Sequence, residues 1–112
     1  MSDTRAVLHD LVAARNARST ERVAGLLDAD VRYWDCERGE LAGREAVAEA
    51  LVGLDAHVEV ETAAAADTAA VLELRAGTPA RYRSTEVYRL AGGTVVSIRA
   101  YFDPRARARG GR

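Results

Sequence analysis

Glu86 is a candidate for chemistry because its strand pattern should turn it inward. In residues 81–90, RYRSTEVYRL, the arginines fall on one face of an alternating strand. The opposite face then carries Glu86 together with Tyr82, Tyr88 and Leu90. A carboxyl group on that covered face either finds a partner or keeps its proton, because burial disfavours the anion. The alternation leaves open a second interpretation, in which Glu86 pairs with an arginine at a sheet edge or a bulge turns it outward.

Asp35 is the second candidate, near the end of a short predicted strand, VRYWDC, over residues 31–36. Tyr33 and Asp35 share one side of this strand, and Trp34 and Cys36 share the other. Both sides carry an aromatic residue, so alternation alone does not decide which one is buried.

Several kinds of catalysis are excluded because the sequence lacks the residue types or motifs that they require. All 16 basic residues are arginine, so a lysine Schiff base is excluded. Cys36 is the single cysteine, which excludes an internal disulfide and a two-cysteine metal site. The two histidines lack HExxH spacing, and the chain has no GxSxG, GxGxxG or P-loop motif. We therefore expect no metal and no cofactor. The remaining candidates for proton transfer are Asp, Glu and Tyr side chains, Cys36 and the two histidines.

Length, charge and hydropathy limit the number of domains, the kinds of partner and the location of the protein. At 112 residues the chain is expected to form one domain, residues 1–104, followed by a flexible Arg/Gly tail at 105–112. A net charge of −1 argues against a nucleic-acid partner. No apolar run is long enough to cross a bilayer, and the N-terminus lacks the features of a signal peptide. These features predict a cytoplasmic protein with no membrane partner.

Helices should precede a strand meander. Apolar spacing predicts helices over residues 4–17, after Ser19 or Thr20, and after Gly43. Strands are predicted from residue 58 onward, with turns at 67–68, 77–79 and 91–93. In the first of these strands, Val60 and Thr62 should face inward. Short connections favour antiparallel hairpins, so the expected class is α+β.

Three segments carry a resemblance to a known family. GLLDADVRYWD (25–35), LAGREAV (41–47) and TEVYRLAGGTVVSIRAYFDP (85–104) resemble nuclear transport factor 2-like domains, especially the SnoaL-like group. The resemblance implies a cone-shaped, curved and mainly antiparallel sheet wrapped on about three helices from the N-terminal half. It also implies a homodimer and an enclosed apolar pocket, and we expect Asp35 and Glu86 both to line that one cavity.

Site roles follow from the same resemblance. The group includes ketosteroid isomerases, polyketide cyclases, epoxide hydrolases, dehydratases and non-catalytic domains. The isomerase pattern implies Asp35 as the proton-abstracting base and Glu86 as the carboxylic acid on the oxyanion side. Leu11 replaces the tyrosine that isomerases place on the first helix, so Tyr33 or Tyr88 would have to substitute. Ala100 lies near the acidic residue of the cyclases.

The resulting hypothesis is a cofactor-independent acid/base enzyme, of isomerase, cyclase or dehydratase type, acting on a small or polycyclic apolar carbonyl compound. The alternative is a non-catalytic ligand-binding or dimerisation domain, in which both carboxylates would be paired with fixed protein groups. Arg15 lies on the apolar stripe of the first helix, from which its side chain could reach the pocket. The alternative, which is expected more often for arginine, is that its charged end reaches solvent. The predicted substrate-binding residues are Leu11, Arg15, Tyr33, Tyr82, Tyr88, Ile98, Ala100 and Phe102.

Overall fold

Three helices in the N-terminal half and six strands make up the α+β fold predicted from the sequence. The computed structural model describes residues 3–53, 57–77 and 82–102, with only the backbone of Tyr82. The elements in chain order are α1 (Thr4–Asn16), α2 (Thr20–Ala24), β1 (Leu27–Asp35), β2 (Gly39–Ala42), α3 (Arg44–Gly53), β3 (Val58–Ala65), β4 (Ala69–Ala76), β5 (Tyr82–Ala91) and β6 (Thr94–Phe102).

The first two helices begin where polar side chains cap them. Asp3 accepts a hydrogen bond from the Arg5 backbone N–H at 3.0 Å, which caps α1. Ser19 accepts one from the Arg22 N–H at 3.2 Å and caps α2. Such side-chain acceptors satisfy N–H groups that have no partner within the helix. The predicted positions of both helices are confirmed to within a residue or two.

The sheet has the strand order β2-β1-β6-β5-β4-β3. Every neighbouring pair is antiparallel except β1 and β6, which are parallel. The prediction of a mainly antiparallel sheet is therefore confirmed. The sequence did not predict β2. The predicted start of β1 was Val31, four residues after the observed start at Leu27. The parallel pairing places β1 beside the last strand, which puts residues far apart in sequence next to each other.

Buried side chains of the helices pack on one face of the sheet and form the core. Leu8, Leu11, Val47 and Leu51 come from the helices, and the sheet contributes residues such as Val31, Leu74, Val95 and Ile98. On β1 the structure resolves the open choice, because Val31, Tyr33 and Asp35 are buried while Arg32 is exposed.

The edge strand β3 follows the predicted alternation only as far as Val60. Val60 pairs with the buried Leu74 and lines the groove against α1, so it faces inward as expected, although it is 43% exposed at the edge of the sheet. Thr62 was also expected to face inward, but it is exposed and pairs with Glu73. The register shifts between Val60 and Thr62. Such a bulge inserts an extra residue and breaks the period of two, which explains the error at Thr62.

Membrane-spanning helices are not found among the residues that the structure describes. The predicted tail, residues 105–112, lies outside the described residues. The domain boundary at residue 104 therefore stays a prediction.

Candidate functional site

Asp35 and Glu86 lie on the same face of the sheet, separated by one strand. Asp35 pairs in register with Ala100 on β6, and Ala100 pairs in register with Glu86 on β5. All three are buried, at 0%, 0% and 1% exposure. Neighbouring strands lie about 4.8 Å apart, so the two carboxylate-bearing backbones are about 10 Å from each other. Ala100 adds only a methyl group between them.

A second row of residues stands beside the first. Tyr33, Ile98 and Tyr88 also pair across β1, β6 and β5, and all three are buried. Each tyrosine donates its hydroxyl hydrogen to the carboxylate two residues away on its own strand, Tyr33 to Asp35 and Tyr88 to Glu86. The sheet thus builds two tyrosine–carboxylate pairs on either side of β6.

Four hydrogen bonds converge on the Asp35 carboxylate. Its Oδ1 accepts from the backbone N–H groups of Glu37 and Arg38, at 2.9 and 2.6 Å. Its Oδ2 accepts from the Tyr33 hydroxyl at 2.8 Å and from Arg38 Nε at 2.9 Å. Burial by itself raises the pKa of Asp35, but these hydrogen bonds and the Arg38 charge together lower it below its ordinary value. Asp35 is therefore held as an anion.

Glu86 is ion-paired with Arg15, which corrects the expectation for that arginine. Arg15 Nη1 lies 2.8 Å from Glu86 Oε1, and both side chains are almost completely buried, at 3% and 2% exposure. The charged end of Arg15 was expected to reach solvent, but it turns inward and meets Glu86 on β5. Tyr88 completes the cluster, with Arg15 Nη1 3.4 Å from its hydroxyl oxygen. Arg15 and Tyr88 both donate to Oε1, and among the described residues none donates to Oε2.

Both tyrosines keep their protons well into the alkaline range. Burial, followed by the hydrogen bond to Asp35, raises the pKa of Tyr33. Burial, followed by the charge of Glu86, raises the pKa of Tyr88 well above its ordinary value. Removing a phenolic proton beside a buried carboxylate would bring two negative charges together. Both hydroxyl groups are thus hydrogen-bond donors at neutral pH.

The other predicted binding residues divide into three groups. Leu11, Ile98 and Ala100 are fully buried in the core, next to the two clusters. Phe102 is partly buried and packs against that core. Tyr82 lies at the start of β5, and its side chain is outside the described part of the structure.

An apolar groove of about 510 Å³ lies between α1 and strands β3 and β4. Its lining includes Leu8, Val12 and Leu72, but neither Asp35 nor Glu86. A single cavity holding both carboxylates, as the sequence reading expected, therefore stays a prediction. No group of three His, Cys, Asp or Glu side chains within residues 3–53, 57–77 and 82–102 could hold a metal ion.

Sequence reasoning missed Arg38. This residue lies in the turn between β1 and β2, and its guanidinium contacts Asp35 and sits 5.8 Å from the centre of the Tyr33 ring. The available signal was the segment Asp35-Cys36-Glu37-Arg38-Gly39, where an aspartate opens a tight turn and accepts from the backbone N–H groups that follow. Recognising that turn would have indicated that it brings the Arg38 side chain close to the Asp35 carboxylate.

The comparisons with known proteins bear on the family and the fold. The family model of the SnoaL-like domain matches residues 8–98. The chain belongs to the SnoaL-like family. This assignment confirms the family predicted from the sequence, and the strand order fits the nuclear transport factor 2-like cone fold. No curated protein matches the chain in sequence.

Several solved structures share the SnoaL-like fold at low sequence identity. A nuclear transport factor 2-like protein of unknown function from Cytophaga hutchinsonii is 18% identical, with a TM-score of 0.82 and 94% of each chain covered. A protein from Kribbella flavida, described as a candidate ketosteroid isomerase, is 21% identical, with a TM-score of 0.81 over 89% of this chain and 77% of that one. An LEH-like epoxide hydrolase from M. tuberculosis is 19% identical, with a TM-score of 0.75 over 94% and 86%. The fold is thus used by isomerase-like and epoxide hydrolase-like proteins.

Proposed function

We propose that this SnoaL-like domain is a cofactor-independent acid/base enzyme acting on a small or polycyclic apolar carbonyl compound. The observation that carries the proposal is the row Asp35, Ala100 and Glu86, which aims two carboxylates at the same side of the sheet with only a methyl group between them. Two buried carboxylates are costly to desolvate, so their retention in a small core favours a functional role.

Asp35 acts as the base in this proposal. It takes a proton from the carbon next to the carbonyl, the electron pair of that C–H bond forms a C=C bond, and the carbonyl oxygen gains the negative charge. A base must be ionised before it acts, and the lowered pKa of Asp35 supports that state at neutral pH. Return of the proton to the same carbon gives exchange, and its delivery to another carbon gives isomerisation. In an elimination the enolate instead expels a leaving group, and the proton held by Asp35 passes to that group or to water.

Glu86 acts on the side of the developing oxyanion. In its protonated form, Glu86 would carry the proton on Oε2, to which no described residue donates a hydrogen bond, and could donate it to the enolate oxygen. Tyr88 is the second candidate donor, because it keeps its proton and shares the cluster. Leu11, Ile98 and Phe102 are the proposed apolar contacts for the substrate.

A non-catalytic role is the second candidate, and a specific observation favours it. Asp35 accepts four hydrogen bonds and Glu86 is paired with Arg15, which are the fixed partners expected in a ligand-binding or dimerisation domain. In that role the two clusters stabilise the sheet, and the domain binds a small apolar ligand or a second copy of itself. Sedimentation velocity of the purified chain would test the homodimer.

The experiment that separates the two roles is proton exchange in D₂O. A panel of cyclic and polycyclic ketones is incubated with the protein, and loss of the proton signal next to the carbonyl is followed by NMR. Asp35→Asn should lower the exchange rate by about 10²–10⁴-fold, the usual contribution of a positioned base. Glu86→Gln, which keeps a donor, should retain part of the rate.

Asp30→Asn is the matched control, because Asp30 is an exposed aspartate on the same strand. It should leave the exchange rate unchanged. Equal rates for Asp35→Asn and the unmodified protein would contradict the catalytic role and favour the binding domain.

A further inference from the structure

Arg38 differs from the other partners of Asp35 in its exposure. Its side chain is 47% exposed, whereas that of Asp35 is 0% exposed. The remaining donors are the buried Tyr33 hydroxyl and two backbone N–H groups of the turn. Of the four hydrogen bonds to Asp35, the one from Arg38 Nε is therefore made by the only side chain that can move into solvent without unfolding the turn or the core.

The Arg38 contact decides whether Asp35 can accept a proton. An ionised carboxylate has about four acceptor positions, and the four described hydrogen bonds fill them. A substrate proton therefore needs one of these donors to withdraw. Because Arg38 Nε lies on Oδ2, its withdrawal exposes the oxygen that also receives the Tyr33 hydroxyl.

We propose that Arg38 is a positioning residue that occupies Asp35 until a carboxylate on the substrate takes over its guanidinium. This inference rests on the proposed function and narrows it: the substrate is an apolar carbonyl compound that also carries a carboxylate. A guanidinium binds a carboxylate through two parallel N–H···O bonds, which a single contact to Asp35 does not match.

The exchange is favourable compared with simple withdrawal of Arg38. If Arg38 moved away from Asp35 and met no other anion, two opposite charges would be separated. A substrate carboxylate instead provides the guanidinium with a new partner. The Tyr33 ring, 5.8 Å from the guanidinium carbon, keeps the arginine beside the site during the exchange. Within the described part of the chain, the buried charged side chains besides Asp35 are Glu86 and Arg15, which are paired with each other.

The first test examines the contact in the absence of any ligand. The Asp35 carboxyl carbon is titrated by NMR in the unmodified protein, in Arg38→Ala and in Arg32→Ala. Arg32 is the matched control. It is an exposed arginine on β1, the strand that carries Asp35, and its side chain is paired with Glu40. Arg38→Ala should raise the pKa of Asp35, and Arg32→Ala should not. An unchanged titration in Arg38→Ala would overturn the proposal.

The second test compares 3-oxocyclohexane-1-carboxylate with its methyl ester in the D₂O exchange assay. The unmodified protein should exchange the acid at least about tenfold faster than the ester, as expected for one lost charge-assisted contact. Arg38→Ala should slow the acid, speed the ester and remove the preference, while Arg38→Lys should restore part of it. A preference that persists in Arg38→Ala would contradict the substrate assignment.

The third measurement separates failure of this inference from failure of the proposed function. The Nε–Hε signal of Arg38 is followed by NMR while the acid or the ester is added. If neither compound exchanges protons but the acid alone shifts this signal, the enzyme proposal fails and the carboxylate site stands. If the acid leaves the signal in place, the inference about Arg38 is wrong whatever the exchange rates are.

Discussion

The Glu86 and Asp35 clusters contain the same three kinds of side chain but differ in their contact with solvent. Each has a carboxylate, a tyrosine two residues away on the same strand, and an arginine. The arginine of the Glu86 cluster comes from α1 and is 3% exposed, whereas that of the Asp35 cluster comes from a turn and is 47% exposed. The same guanidinium–carboxylate contact is thus buried in one cluster and half-exposed in the other. In our proposal the buried arginine is a fixed support and the half-exposed one is a movable partner.

Removing Arg15 should give the largest effect on stability. Arg15→Ala leaves Glu86 buried without its counter-charge, which should lower the free energy of unfolding by about 3–5 kcal/mol. Urea denaturation at neutral pH measures the change. Arg5→Ala, on the exposed side of the same helix, is the control and should change little.

A double variant sharpens this interpretation. Arg15→Met combined with Glu86→Gln removes both charges and should recover much of the lost stability. If Arg15→Ala alone costs less than about 1 kcal/mol, the fixed-support description of the Glu86 cluster is wrong.

Asp35 should give an intermediate effect that depends on pH. Its pKa is lowered in the folded protein, so its stabilisation is present above the ordinary aspartate pKa of about 3.9 and is lost as the pH falls through the lower folded value. Asp35→Asn should cost about 1.5–3 kcal/mol at pH 7. The difference in free energy of unfolding between Asp35→Asn and the unmodified protein should become smaller in strongly acidic solution.

Thermal or urea unfolding across the acid range checks this sign. Asp30→Asn provides the exposed comparison and should show no comparable pH dependence. A difference for Asp35→Asn that grows on acidification would contradict the lowered pKa.

The two tyrosines allow a direct comparison of the clusters. Tyr88→Phe removes a hydroxyl from a fully buried charged group, so it should lower the free energy of unfolding by about 1–3 kcal/mol. Tyr33→Phe should cost less, because Asp35 keeps three other donors. Equal costs, measured by urea denaturation, would remove the distinction between the clusters.

Arg38→Ala should have the smallest effect on stability. A half-exposed ion pair contributes about 0–1 kcal/mol, because solvent screens it and the side chain loses freedom when it is held. Urea denaturation should therefore detect little change in a variant whose Asp35 titration moves. A loss comparable with that of Arg15→Ala would show that Arg38 is a fixed support as well.

The sequence predicted the parts of the site that depend on local periodicity. Alternation along β5 placed Glu86 on the same face as Tyr88, and apolar spacing located the first two helices to within a residue or two. These features need only neighbouring residues, so a single sequence contains them. The family resemblance then added the order of the elements.

The missed features depend on contacts between distant residues. Arg15 and Glu86 are 71 residues apart in the sequence, and no local pattern announces that they meet. The bulge after Val60 and the short strand β2 also depend on the neighbouring strands that pair with them. The contact between Arg38 and Asp35 was missed for a different reason: it is local, but the segment after Asp35 was not recognised as a turn.

The parallel pairing of β1 with β6 has a consequence for how the protein folds. Cys36, just after β1, contacts Phe102 at a separation of 66 residues, and closing so large a loop is entropically costly. During synthesis, β1 and the helices leave the ribosome long before β6 does. The row of Asp35, Ala100 and Glu86 cannot be complete before β6 has been made, and until then the newly made chain lacks the strand that covers the edges of β1 and β5.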